Sequence, residues 1–244
     1  PIGWTGARTP AHTEPPGRGG FEGDAGSFHG TDRIDGSPID VWFRWHDIHG
    51  EEPWWVQAFS VDAGAHWEVN WRNWFRRTAA APSPLPKLPD APGDFDFLVG
   101  HWNVRHRRLR ARLAGSDAWD AFNGTLHNWP VLGGFGNVGD NLMDVPGAPL
   151  RGMGIRAWNA TERHWLSWWL DGREPTRIGA PLRGGFQAGV GRFFGEDQHD
   201  GRSIQTRVIW SRITPRSARW EQAASTDGGR SWETNWVSDF ERQA

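Results

Sequence analysis

Residues 201–242, GRSIQTRVIWSRITPRSARWEQAASTDGGRSWETNWVSDFER, decide the reading of this chain, because residues 36–77, GSPIDVWFRWHDIHGEEPWWVQAFSVDAGAHWEVNWRNWFRR, match them without a gap. Trp45 falls on Trp210, Trp55 on Trp220, Gln57 on Gln222, Asp62 on Asp227, Gly64 on Gly229, Trp67 on Trp232, Asn70 on Asn235, Trp71 on Trp236, Phe75 on Phe240 and Arg77 on Arg242. The register extends upstream through Trp4 and Trp169, Arg8 and Arg173, Pro16 and Pro181, Phe21 and Phe186, and Asp35 and Asp200; 29 of the first 77 positions are identical. A fixed-offset match of this length marks one unit present twice.

The complete copy begins near Asp94. Residues 1–77 are therefore expected to be the C-terminal half of a first repeat, cut short from a longer two-domain protein. The rival expectation is a half-unit that completes its barrel by self-association with another chain. Residues 78–93, TAAAPSPLPKLPDAPG, carry five prolines and no alternation, the composition of a semi-stiff extended linker.

Within the repeat, apolar positions alternate. Ile39, Val41, Phe43 and Trp45 share one face of a run, with Asp40, Arg44 and His46 on the other; Trp55, Gln57 and Phe59 share a face of the next, and Trp67, Val69, Trp71 and Phe75 of the one after. That is the period of half-buried strands. Between runs lie Ser60–Trp67 and Ser225–Trp232, both S-x-D-x-G-x-x-W. They resemble the Asp-box hairpin of sialidases and related propellers, which implies a structural turn in which Asp bonds backbone and Gly takes positive φ. Two boxes so far apart do not supply the blade spacing of a propeller.

Over residues 94–244 the strand-like stretches fall near 101–113, 119–129, 134–144, 151–158, 163–170, 181–186, 190–196, 202–212, 218–225 and 231–241. Ten short runs without helices predict an all-β, antiparallel, up-and-down barrel of about ten strands, since closure removes the unpaired edges of so long a sheet. The first copy holds about six such runs.

Composition narrows the function classes. A net charge of -2 gives no field for nucleic acid or an anionic membrane. The absence of cysteine excludes disulfides, thiolate metal sites and a cysteine nucleophile, and fits a cytoplasmic protein, with secretion left open. No apolar run reaches the length of a membrane helix. Ten His and 29 acidic residues show no metal-ligand spacing; His46-Asp47-x-His49 reads as a solvated strand end. No metal or cofactor is implied.

The stretch Phe95-Asp96-Phe97-Leu98-Val99-Gly100-His101-Trp102, with its F-x-F-L-x-G-x-W pattern entering the first strand, resembles the opening of lipocalin-like (calycin) barrels, and residues 94–242 look like an uncharacterised bacterial domain family of that type. The resemblance implies that Trp102 closes the barrel base under an arginine from the last strand, here Arg242. The opening also resembles the haem-binding nitrobindins, whose iron-ligating His lies in the C-terminal strands. Residues 200–244 contain no His, although His106 or His164 could serve in principle.

Candidate site residues are the polar groups in phase with core aromatics. Trp102, Val104, His106 and Arg108 share one parity; His106 is a candidate acid or base, and Arg108 a candidate holder of an anionic group. Both could equally be solvated on a twisting basic strand. Gln222 is in phase with Trp220, and Trp210 and Thr234 are expected beside it as a floor for a flat ligand. Trp169 and Arg173 lead into a rim loop, where they could hold a carboxylate or a flat ring; Asn137 lies on a glycine-rich strand. These residues predict a container for a small, partly aromatic or apolar molecule. The alternatives are a non-metal lyase, isomerase or cyclase built on His106 with Arg108 or Arg173, and a Trp-rich glycan-binding module.

Overall fold

A computed structural model describes residues 17–81, 83 and 85–243; Trp4, Arg8 and Pro16, named above, lie outside them. The chain forms two compact units, Pro1–Ser83 and Pro84–Ala244.

The first unit is an antiparallel sheet of five strands in sequence order: β1 (Arg18–Glu22), β2 (Ala25–Ile34), β3 (Ser37–His46), β4 (Trp54–Ser60) and β5 (Glu68–Trp74). The second has ten: β6 (Gly100–Leu109), β7 (Trp119–Val131), β8 (Gly136–Met143), β9 (Leu150–Asn159), β10 (His164–Asp171), β11 (Leu182–Gln187), β12 (Val190–His199), β13 (Arg202–Ser211), β14 (Ser217–Ser225) and β15 (Glu233–Arg242). Each pairs antiparallel with its neighbours in sequence, and β15 returns to pair with β6, which closes an up-and-down barrel. Every stretch of the second unit read as strand-like is a strand. The described residues of the first unit hold five strands; the remainder of the six or so runs expected there lies outside them.

The five-stranded sheet reproduces β11–β15 rung for rung. Arg18 pairs with His29 as Arg183 does with Phe194, Gly26 with Trp45 as Gly191 with Trp210, and Trp45 with Trp55 as Trp210 with Trp220. A β-bulge interrupts β4–β5 at Gln57/Ala58 and β14–β15 at Gln222/Ala223. In both, the glutamine amide bonds an asparagine of the next strand, Gln57 to Asn70 at 3.2 Å and Gln222 to Asn235 at 2.9 Å. The bulge therefore carries its own side-chain staple.

The two S-x-D-x-G-x-x-W turns are also alike. Ser60 Oγ donates to Asp62 Oδ1 and accepts from the Gly64 amide, both at 2.8 Å, as Ser225 does with Asp227 and Gly229. The Asp62 carboxyl is held far below the usual carboxylate range, first by the His66 amide; that of Asp227 is held there first by the Ser231 hydroxyl. These carboxylates serve turn backbone.

Trp102 is fully buried at the barrel base, and its indole N–H donates to the Leu98 carbonyl at 2.8 Å. The Arg242 guanidinium lies 4.2 Å over its ring and donates to the carbonyls of Val99, Phe97 and Pro215. One side chain of the last strand thus ties down the opening segment, the first strand and the β13–β14 loop. Gly100 stands at φ +119, and a Cβ there would lie 2.6 Å from Arg242 Nη1, so the position tolerates only glycine.

The second part of the stretch expected as a linker over 78–93 makes contacts within the second unit. Leu88 N–H bonds the Gly133 carbonyl at 2.7 Å, Ala91 is buried, and Lys87 pairs with Asp96 at 2.6 Å. Prolines stiffen this stretch without keeping it off the barrel, because Leu88 has an apolar place to lie against Gly133.

Arg242→Ala is expected to destabilise the barrel by about 2–3 kcal/mol, from lost charge-assisted hydrogen bonds and one cation-π contact. Its sequence equivalent Arg77 is exposed, and Arg77→Ala should change stability by less than about 0.5 kcal/mol. Urea unfolding of the full chain followed by Trp fluorescence measures both.

Candidate functional site in the barrel interior

The register fixes which residues face inward. Trp102, Val104, His106 and Arg108 of β6 pair with Arg242, Phe240, Ser238 and Trp236 of β15 on one side, and with Leu126, Gly124, Phe122 and Asp120 of β7 on the other. The base holds one buried cluster that includes Phe95, Leu98, Trp102, Leu126, Trp165, Phe193, Trp210 and Phe240. Nearer the mouth, Phe122, Met143 and Leu150 form a second, against which Trp236 packs.

Between these clusters the inward row of β8 and β9 is unusual. It runs Asn137, Gly139, Asn141 on β8 against Arg156, Gly154, Gly152 on β9. Three glycines remove side chains from the wall, and Arg156 and Trp169 occupy the space. The Trp169 ring lies on Gly152, and a Cβ on Gly154 would lie 3.1 Å from Arg156 Nη2.

Arg156 is the most consequential group. Its guanidinium stands 5.2 Å from the Phe95 ring and 5.7 Å from the Trp210 ring, and Nη1 donates to Asn137 Oδ1 at 2.9 Å. Asn128 Nδ2 donates to the same Asn137 oxygen at 3.1 Å. No carboxylate pairs with Arg156 among the described residues. Its Nε and the nearby Asn128 Oδ1 are buried without a hydrogen-bond partner. Burial draws the Arg156 pKa down to about 10, still leaving it charged at neutral pH.

His106 is 6% exposed and stacks on Phe122 with centroids 5.0 Å apart. Trp236 Nε1 donates to its Nδ1 at 3.3 Å, and the Ser238 hydroxyl lies 2.8 Å from the same nitrogen. An indole N–H can only donate, so Nδ1 is the acceptor and the ring proton sits on Nε2. Burial pushes the His106 pKa down to about 4, so the imidazole is neutral at pH 7. Arg108 lies 5.6 Å over Trp236 and 5.9 Å over Phe122. The alternative that both residues are solvated on a twisting strand does not hold: the closed barrel keeps β6 in phase through Arg108.

Of the other candidates, Asn137 and Trp210 meet at Arg156. Trp169 sits at the inner wall, 44% exposed. Arg173 lies out on the rim, bound through Nε and Nη2 to Asp171 at 2.9 and 2.6 Å. Gln222 is engaged by Asn235. Thr234 is not a neighbour of Trp210: the bulge sets Thr234 opposite Ala223, while Trp210 pairs with Trp220 and Gln222 with Trp236. Strict alternation through the bulge had placed it wrongly. Arg156, Phe95, Asn128 and Ser238 were not singled out from the sequence; the in-phase run Gly152, Gly154, Arg156, Trp158 was a signal for the first. Among the described residues no cluster of three or more His, Asp or Glu gathers as a metal site.

Comparison with known proteins assigns the chain to no family. No family model and no curated protein matches the chain. Among solved structures, an S-type phycobiliprotein lyase, CPES, from Guillardia theta is similar at 13% identity and a TM-score of 0.42, over 62% of this chain and 90% of that one. A protein of unknown function of the DUF3598 family from Nostoc punctiforme is similar at 10% identity and a TM-score of 0.37, over 91% and 90%. Both likenesses are too distant to carry an activity.

The pH dependence of stability follows from His106. Unfolded, the imidazole takes up its proton as pH falls through about 6.5; folded, it resists until about 4. Within that window the unfolded chain binds more protons, so the His106 contribution is complete above about 6.5 and falls by about 3 kcal/mol as pH drops to about 4. Urea titrations across pH 4–7 should show this segment in the native chain, and His106→Gln should flatten it.

Proposed function

We propose that the ten-stranded barrel holds a small, partly aromatic or apolar molecule in its interior. The observation that carries this reading is the interior of a closed ten-stranded barrel in which two buried polar atoms, Arg156 Nε and Asn128 Oδ1, have no partner. Around that space, Trp158, Trp220 and Trp236 are only partly buried although they belong to inward rows, and Thr206 Oγ1 is buried with no partner. A barrel of about ten strands is wide enough for such a cavity, and rings with a few unpaired polar atoms are the usual lining of a ligand site.

His106 favours a container over an enzyme. Its Nδ1 is engaged, and its lowered basicity makes it a poor proton acceptor near neutral pH. A glycan-binding platform is less favoured still, because in the barrel the exposed Trp119 and Trp169 lie on β7 and β10, strands that are not neighbours. On the same reading the two units are copies, the five-stranded sheet being the counterpart of β11–β15. Among the described residues β1–β5 form an open sheet, and its completion by another polypeptide of that kind belongs to the same proposal.

The test is titration of the full chain with the neutral dye N-phenyl-1-naphthylamine, read as energy transfer from tryptophan. Saturable binding is expected, and Thr206→Phe, which adds a ring inside the barrel, should weaken it about tenfold or more while thermal unfolding stays cooperative. Absence of saturable binding overturns the reading.

A further inference from the structure

Arg156 is a cation inside a barrel without an anion beside it. Burying such a group costs several kcal/mol unless a counter-charge and hydrogen bonds are supplied. Asn137 and the rings of Phe95 and Trp210 are neutral partners. They orient the guanidinium without neutralising it.

The orientation is specific. Asn137 takes Nη1, the nitrogen on the far side of the guanidinium from the Nε–H direction. The Nε and Nη2 edge is left over. Nε is buried and unpartnered, and Nη2 lies over Gly154, in the place that a Cβ there would crowd. That edge is a planar two-donor fork, the shape that matches the two oxygens of a carboxylate. The surroundings on the same floor are aromatic: Phe95, Trp210, Trp165 and Phe193.

We infer that the Nε/Nη2 edge of Arg156 is the seat for the carboxylate of the bound molecule, which makes the ligand an aromatic or apolar monocarboxylic acid, inserted acid-first. The assignment deepens the small-molecule reading and rests on it. Other cations near the interior are differently occupied: Arg108 lies against Trp236 and Phe122, and Arg173 is closed by Asp171 on the rim. Asn128, whose Oδ1 is also unpartnered, reaches Arg156 through Asn137 on the Nη1 side, away from the fork.

The test is displacement of bound N-phenyl-1-naphthylamine from the full chain by 2-naphthoate and by methyl 2-naphthoate, which share a body and differ in charge. The acid should displace the dye at a concentration about tenfold lower than the ester, the scale of one charge-assisted pair. Asn137→Asp places a carboxylate against Nη1 at nearly constant volume, and Arg156→Met removes the cation; each should bring acid and ester to the same midpoint while dye binding persists. Gly154→Ala crowds Nη2, keeps the charge, and should weaken the acid selectively. If the native chain displaces dye equally with acid and ester, or if Asn137→Asp preserves the preference, the carboxylate seat is wrong and the container reading survives. If the dye itself does not bind, both fall.

Discussion

Everything in the second unit depends on the seam between β15 and β6. Ten strands in sequence order would otherwise end in two long edges of unpaired amides and carbonyls; the pairing of Trp236–Arg242 with Arg108–Trp102 removes both at once. Arg242 holds that seam from below. By binding the carbonyls of Phe97 and Val99 it also pulls the opening segment across the base, and this segment carries Phe95 into the floor. The ring that Arg156 faces is therefore placed by the same side chain that locks the barrel. Floor and closure are one piece of construction.

The two sheets separate what local sequence determines from what packing determines. Pairing register, bulge and turn chemistry recur between β1–β5 and β11–β15, so they follow from hairpin residues and from the Gln–Asn staple, which lie close together along the chain. Burial does not recur. Phe240 is 8% exposed inside the closed barrel, while its counterpart Phe75 is 40% exposed. Trp71, the counterpart of the half-buried Trp236, is also exposed. Strand-to-strand order is thus written within each hairpin, and the apolar gain of some 25 cal/mol per Å² comes only when the opposite wall is present.

This division explains what was legible in the sequence. The ten strands were legible because alternation and turn residues are local signals, and the base latch because Gly100, Trp102 and a terminal Arg242 keep a recognisable order. His106 and Arg108 were legible as inward by parity alone. Thr234 was misplaced because a bulge shifts parity by one residue and has no signature in hydrophobic alternation; only the amide pair Gln222–Asn235, repeated as Gln57–Asn70, marks it. The bond from Leu88 to Gly133 was not legible for a related reason, since it joins places far apart in the chain. Arg156 stayed hidden because its meaning lies in partners from three other places in the chain: Phe95 before the barrel, Asn137 on β8 and Trp210 on β13.

The same locus departs from barrel-core practice in two independent ways, and both work against stability. Inward glycines in mid-strand carry extra backbone entropy, and an unpaired, partly buried cation carries a desolvation penalty that an apolar side chain of similar volume would avoid. Much of the rest of the interior is conventional: the base is filled with aromatic rings, His106 is kept neutral by burial, and Gln222 bonds Asn235. The two coincide on β8 and β9 because the glycines let Trp169 and the Arg156 guanidinium lie against the wall; on the proposed reading, a bound carboxylate would supply the counter-charge that the guanidinium lacks.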